Sequence, residues 1–421
     1  MKLKRYSVLY IGTFLACLYF EAGTCKQKEE DLISKARTIH DKALTVDSHA
    51  DTPALLLRES WDMGKRHETA SGNDGKIDLP RMREGGLDAE VFVVCVGQGA
   101  LTPEGYSKAR EKADNQLAAI HKMCSDYPDL VELAISPEDA YRIEKLGKRA
   151  AFIGLENGYP MGKDISLLRA FYDKGVRYLT LCHSANNDIC ASSTDRFNLE
   201  DKGLSDFGKK VVAECNRFGI MVDISHLSDK SFFDVLEVSH SPVIASHSSV
   251  RAQCDNPRNL SDEMLKALKT NEGVIQICFY SEFIRAPRSS PERERALEKI
   301  NKTFGFWGDV MDEAKREKRE QEYLKIIEKY PEEKATLKEL VDHIDYVVSL
   351  IGIDHVGIGT DFDGGGEVEG CVDISEMHHI TEELLRRGYS EEEIQKIWGG
   401  NFLRVFKKTI ELASKNINTG N

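Results

Sequence analysis

Basic residues are in short supply in this chain, with 57 Lys and Arg against 70 Asp and Glu for a formal net charge of −13. An acid-rich surface repels phosphate backbones, and no Lys/Arg stripe with interleaved aromatics offsets it, so nucleic acid is excluded as a partner. None of the 10 cysteines forms a Cys-x-x-Cys pair, which removes cysteine zinc sites and thioredoxin-type redox chemistry and leaves disulfide pairing open. No Gly-rich phosphate loop follows the first strand-like run, so nothing supports nucleotide binding. The apolar run near the N-terminus, Tyr6 to Phe20, falls short of the ~20 residues of a membrane span. Prolines number only 11. What remains, at 421 residues, 41% hydrophobic and 30% charged, is an ordinary soluble globular chain, long enough for one large domain or two medium ones.

The chain starts with Met1-Lys-Leu-Lys-Arg5, passes through the apolar run and continues as Glu21-Ala-Gly-Thr-Cys25. A basic start and a short apolar segment fit an export signal, placing the mature chain in the periplasm or at the cell surface. Ala22-Gly-Thr-Cys25 resembles a degenerate bacterial lipoprotein cleavage site, with Cys25 as the lipid-bearing residue; Phe14-Leu-Ala-Cys17 is a poorer rival. Neither has the leucine three residues before the cysteine, so plain secretion stands beside lipid anchoring. The expected organisation is a leader over 1–25 and one domain over 26–415.

Eight apolar, strand-like runs follow: 43–49, 89–96, 150–156, 176–183, 221–226, 242–247, 273–280 and 355–361. Helical-looking segments separate most of them, at 103–125, 165–174, 205–218, 229–238, 261–270 and 337–350, and 390–412 is expected to close the chain as helix. Near-continuous apolar strands alternating with helices read as parallel strands buried on both faces. The count points to an α/β fold of the (β/α)8 TIM-barrel type, with a doubly wound open sheet as rival. Seven of the eight runs end on His, Asp, Glu or Tyr. A barrel gathers those ends into one mouth, whereas an open sheet spreads them along an edge.

At that mouth, His49 and Asp51 are two apart on an extended segment and point the same way, suited to hold one cation. Glu156 ends the third run, and its two oxygens can bridge two ions. His226 and His247, ending the fifth and sixth, can hold the second. Three protein ligands per ion leave positions open for water, as catalytic sites do, and mixed N/O ligation suits zinc, or manganese or iron. Singly, each histidine reads more simply as a hydrogen-bonded structural residue; the coincidence of five such residues at strand ends carries the argument. His40, His67, His121, His240, His343, His355, His378 and His379 fall away from strand C-terminal ends and read as structural or solvated. Asp361-Phe-Asp-Gly-Gly-Gly starts like a calcium loop but fails at its fifth position, Gly365. Asp361 is better read as a proton-handling carboxylate facing the metals, and Asp363 as a turn or capping residue.

The chain resembles the membrane (renal) dipeptidases, zinc peptidases of the amidohydrolase-like barrels. The matching stretches are Val46-Asp-Ser-His49-Ala-Asp51, Gly154-Leu-Glu156-Asn-Gly, Arg177-Tyr-Leu-Thr-Leu-Cys-His183-Ser, Asp223-Ile-Ser-His226-Leu-Ser, Pro242-Val-Ile-Ala-Ser-His247-Ser-Ser, Pro257-Arg258-Asn-Leu, Gly359-Thr-Asp361-Phe-Asp-Gly and Trp398-Gly-Gly-Asn-Phe-Leu-Arg404-Val. They run in the family's order from about residue 43 to 407. The resemblance implies two Zn2+ ions, one on His49, Asp51 and Glu156 and the other on Glu156, His226 and His247. It further implies His183 as the contact to the scissile carbonyl region, Arg258 as the clamp for the substrate's terminal carboxylate, and Asp361 as the acid/base. Tyr280, ending the seventh run, is counted with Arg258 and His183 as substrate-binding. A homodimer is the family-based expectation.

One region departs from the family. An extra segment at about 283–335, rich in Arg, Lys and Glu, carries Phe304, Phe306 and Trp307 near its middle. A solvated helical hairpin laced with i,i+4 ion pairs is favoured over a lid that narrows the mouth. The function expected is therefore an exported dipeptidase acting on small peptides. The alternatives are another metal-dependent amidohydrolase, acting on N-acyl amino acids or lactams, and a non-catalytic peptide-binding surface lipoprotein.

Overall fold

The computed structural model describes residues 27–68, 75–196, 200–306 and 313–419, so the leader with Cys17 and Cys25, and also Trp307, lie outside the described residues. Nine parallel strands form one sheet: β1 (Val46–Ala50), β2 (Ala89–Cys95), β3 (Val131–Leu133), β4 (Arg149–Glu156), β5 (Val176–Thr180), β6 (Met221–Asp223), β7 (Ile244–Ser248), β8 (Val274–Ile277) and β9 (Val356–Ile358). Eight of them follow one another in the order β1-β2-β4-β5-β6-β7-β8-β9, and β3 pairs only with β4. The ring closes between β9 and β1, where Asp361 N donates to His49 O at 3.0 Å and Asp51 N to Phe362 O at 2.9 Å. Asp47 strengthens this seam by accepting from Thr360 N at 2.8 Å and from its hydroxyl. This is the (β/α)8 barrel, not the doubly wound sheet, because the order circulates without reversing. β3 escapes a reading by pattern, since three residues are too few to show a period.

Side-chain alternation divides the core in two. Val46, Ala89, Val91, Val93, Ala150, Phe152, Tyr178, Met221, Ile244 and Val274 pack together inside the barrel, while Phe92, Val94, Ile153 and Leu179 join the layer beneath the helices. The helix Asn401–Thr419 contributes Phe402 and Phe406 to the inner cluster. Their rings meet Phe152 edge-on at 6.5 and 5.8 Å. The helices start where the sequence supplies a cap: Thr102, Ser136, Ser205, Ser228, Ser261, Thr336 and Ser390 each accept a backbone N–H from the first turn, with proline in that turn after Thr102 and Ser136.

The segment after β8 folds as the helices Pro291–Phe304 and Glu313–Lys329. Buried arginines hold the hairpin: Arg293 binds Tyr330 O at 2.9 Å and Glu332 at 2.9 Å, and Arg319 binds Gly305 O at 2.9 Å and Asn301 Oδ1 at 2.8 Å. Its exposed face carries local ion pairs, Lys302–Glu298 at the expected i,i+4 spacing and Arg295–Glu292 and Lys325–Glu322 at i,i+3. It is not wholly solvated, however. Arg196 lies 4.2 Å over the Phe306 ring, and Arg316 reaches Gln98 O just beyond β2. Among the described residues no helix is long and apolar enough to cross a membrane.

Candidate metal centre

His49, Glu156 and His247 lie within β1, β4 and β7, whereas His183, His226, Tyr280 and Asp361 each fall three residues beyond the ends of β5, β6, β8 and β9, at Thr180, Asp223, Ile277 and Ile358. Two of these turns run through left-handed backbone, with φ 70° at His226 and 59° at Asp361, and Asn157, directly after Glu156, has φ 75°. Non-glycine residues adopt this region only where their surroundings fix it, and such residues gather at functional sites. The turns bring the seven side chains and Asp51 to one mouth.

Glu156 sits at the middle. Its Oε1 is 3.0 Å from His226 Nε2 and 3.3 Å from His247 Nε2, and its Oε2 is 3.8 Å from His49 Nε2 and 3.9 Å from His183 Nε2. Both sets expected from the sequence converge, His49 with Asp51 and Glu156, and Glu156 with His226 and His247, with donor atoms within 4.8 Å of one another. Asp361 joins His49 and His247 in a third such group, its Oδ1 3.9 Å from His49 Nε2.

The donors fit a cation by what they lack. His49 Nε2, Asp51 Oδ1 and Glu156 Oε1 are buried without a hydrogen-bond partner, and the 3.0 Å approach of His226 Nε2 to Glu156 Oε1 lacks hydrogen-bond alignment. Burial holds His49, His226 and His247 well below the ordinary histidine range and His183 at about 4, with the Arg258 charge adding to it, so all four rings are neutral near pH 7. Burial, then the repulsion of neighbouring carboxylates, raises Asp51 to about 7 and drives Glu156 and Asp361 well above the carboxylate range. Neutral imidazoles facing three mutually repelling carboxylates form a donor set that a divalent ion completes, because the ion's charge reverses that penalty.

The outward nitrogens of His49 and His247 are held, whereas His226 Nδ1 is buried without a hydrogen-bond partner. Ser246 Oγ donates to Asp223 at 2.7 Å and accepts from His247 Nδ1 at 2.9 Å and His49 Nδ1 at 3.2 Å. Tyr178 Oη, 3.0 Å from His49 Nδ1, donates to Ser48 O. With both Nδ1 atoms protonated, both Nε2 lone pairs face the cluster. Arg258 is 5% exposed and donates through Nη2 to His247 O at 3.1 Å, its guanidinium 5.2 Å over the Phe283 ring. Tyr280 packs on Phe283 at 4.8 Å and lies against Gly365. Asp363 lies in a turn, and its carboxylate ties that turn to two distant segments, accepting from Thr52 Oγ1 and Lys76 N at 2.7 Å each.

Several neighbours were not singled out from sequence. Cys95 groups with Glu156 and His183; burial, then Asp51 and Glu156, raise its pKa well above the thiol range, so it stays protonated. Any side-chain carbon at Gly364 would strike Asp361 Oδ1 and Asp51 Oδ2, and Gly365, at φ 136°, would strike Tyr280. The Gly-Gly-Gly run was the available signal: it permits close approach of the loop to the carboxylates. The serine before His247 and the aspartate before Ile224 sat inside the quoted motifs without a role. The eight described cysteines are all free. His40, His343 and His355 hydrogen-bond to backbone carbonyls as structural residues, while His378 and His379 group with Glu382 on the helix His378–Arg386.

A parallel (β/α)8 barrel with buried imidazoles and carboxylates converging at the C-terminal ends of its strands has the architecture of the metal-dependent hydrolase barrels. The chain belongs to the membrane dipeptidase family (Peptidase family M19), whose family model matches residues 33–420. It is 32% identical to Dipeptidase 3 of Rattus norvegicus over 378 residues, 88% of this chain and 66%, just under two thirds, of the rat protein's length. The probable dipeptidase PvdM from Pseudomonas aeruginosa superposes with a TM-score of 0.80 at 32% identity, covering 91% of this chain and 99% of that one. A metallo peptidase from Rhodobacter sphaeroides, liganded with a phosphinate mimic of the dipeptide L-Ala-D-Ala, shares the fold with a TM-score of 0.69 at 22% identity, covering 87% and 99% of the two chains.

Proposed function

We propose that the chain is an exported metallo-dipeptidase that hydrolyses dipeptides at a centre of two zinc ions. The observation that carries this reading is Arg258: a buried guanidinium with no ion pair among the described residues, beside a cluster of unpartnered donors. A buried cation without a counter-charge is costly, and a planar fork fits a carboxylate, so its partner is the terminal carboxylate of a short peptide. The Rhodobacter sphaeroides fold neighbour carries a dipeptide mimic, which supports the same substrate class. Export rests on the leader, with lipid attachment at Cys25 and homodimerisation as further expectations of the sequence.

His49, Asp51 and Glu156 would hold one ion, and Glu156, His226 and His247 the other; bound there, the pair supplies Lewis acidity and an acidified water. The chain's own groups do the rest. Arg258 fixes the peptide by its carboxylate. The neutral His183, whose Nδ1 meets Ser184 Oγ at 3.0 Å, presents Nε2–H to the carbonyl oxygen. Asp361 takes a proton as the water oxygen bonds to the carbonyl carbon, and returns it to the amide nitrogen as the C–N bond breaks.

The test is hydrolysis of dipeptides, tripeptides and N-acetylated dipeptides, with metal content measured on the same sample. About two zinc ions per chain and cleavage of free dipeptides alone is the expected result. Cleavage of N-acetylated substrates only would transfer the reading to an amidohydrolase. Bound peptide with no cleavage of any substrate by the metal-loaded protein would leave a binding protein.

A further inference from the structure

Arg316 differs from its neighbours in the hairpin. It is half-buried, and its Nη2 is 3.4 Å from Gln98 O. Its Nη1 lies against Gly97, where any side-chain carbon would displace it. One weak contact to a carbonyl occupies one of the guanidinium's five N–H donors. Among the described residues it makes no ion pair, which is also true of Lys318 and Lys329 on the same helix, so what sets it apart is its contact with the rim at Gly97 and Gln98.

The surface it rests on borders the metal centre. Gln98 is 5% exposed, and its Oε1 accepts from Asn157 Nδ2 at 3.3 Å, which also donates to Val96 O at 2.9 Å. Asn157 is the residue after Glu156, so the rim under Arg316 is fixed to the bridging carboxylate's own turn. The helix is held as well: Arg319, one turn on, is 3% exposed and anchored to Gly305 O and Asn301. The mouth thus carries two guanidiniums, Arg258 at its floor and Arg316 at its rim, on a chain of net charge −13 that otherwise repels anions.

We propose that Arg316 forms an anion subsite at the mouth and selects dipeptides with an acidic side chain, the side-chain carboxylate meeting Arg316 while the terminal carboxylate meets Arg258. This rests on the dipeptidase reading above. It gives the charged insertion a role in substrate choice. A planar guanidinium engages a carboxylate through two parallel hydrogen bonds and gains far less from the isosteric amide.

The measurement is kcat/KM of the metal-loaded protein on Glu-Ala against Gln-Ala, and Ala-Glu against Ala-Gln, with Ala-Ala as reference. In the unmodified enzyme, Glu is preferred over Gln by about tenfold at one of the two positions, the scale of a charge-assisted hydrogen bond. Arg316→Gln brings that ratio to about one, Arg316→Glu inverts it, and Arg316→Lys keeps part of it. Each ratio is taken within one enzyme, so a general loss of activity cancels. Turnover of Ala-Ala with a Glu/Gln ratio near one at both positions, or a ratio that survives Arg316→Gln, overturns the subsite and leaves the dipeptidase reading standing. No cleavage of any dipeptide, Ala-Ala included, overturns both.

Discussion

The hydroxyl of Ser246 donates to Asp223 at 2.7 Å, and the same oxygen lies 2.9 Å from His247 Nδ1 and 3.2 Å from His49 Nδ1. Because a carboxylate only accepts and the hydroxyl has a single proton, both imidazoles must donate to Ser246. One serine therefore sets the tautomer of two histidines from different strands. Ser246→Ala is expected to leave the barrel folded but to weaken metal retention by about 10–100-fold. Zinc content after dialysis against graded chelator reads the effect directly, and an unchanged retention curve would remove Ser246 from this role.

Asp361 presents a different case, for it sits in left-handed backbone with its Oδ1 3.9 Å from His49 Nε2. Asn keeps the shape and tolerates that backbone, but cannot carry the proton. Asp361→Asn is expected to retain metal and to lose about 10²–10⁴-fold in kcat. A variant with near-normal turnover would show that the proton travels another way.

Gly364 tests whether the carboxylates need their positions. A methyl group there collides with Asp51 Oδ2 and Asp361 Oδ1 together, and its effect is local because the loop lies outside the barrel ladder. Gly364→Ala is expected to lower kcat/KM by about 100-fold, the scale of a 1 Å misplacement, with the thermal midpoint nearly unchanged. A large fall in midpoint would make the loop a stability element instead.

These residues also show how far the sequence could be read. The barrel was legible because parallel strands buried on both faces are near-continuous apolar runs, and the five proposed metal ligands because each sits at such a run's end. Arg258 required the family motif, since an arginine after a loop proline is ordinarily solvated. Ser246 and Asp223 were invisible as a pair: their contact spans β6 and β7, and nothing local distinguishes a relay serine from a packed one. Arg316 lay within a run of alternating charge whose composition is that of a solvated helix, and only its contact across to Gly97 and Gln98 sets it apart.

A pH effect on stability follows from His40, which belongs to none of the metal-binding groups. Its Nε2 meets Gly85 O at 2.8 Å and its Nδ1 meets Thr381 Oγ1 at 2.8 Å, while Trp398 Nε1 donates to the same hydroxyl at 2.8 Å. Thr381 therefore spends its one proton on Nδ1, and the network is complete only when the ring is neutral. Burial drives the imidazole down to about 4 from its ordinary 6.5. Between those values the unfolded chain binds the extra proton, so the contribution is fully present above about pH 6.5 and is lost as pH falls toward 4, on the order of 3 kcal/mol in all. The thermal midpoint of the unmodified protein is expected to exceed that of His40→Gln near pH 7.5, and the gap to shrink by several degrees on titration to pH 4. A gap that stays constant across that range would mean that His40 does not titrate as its contacts require.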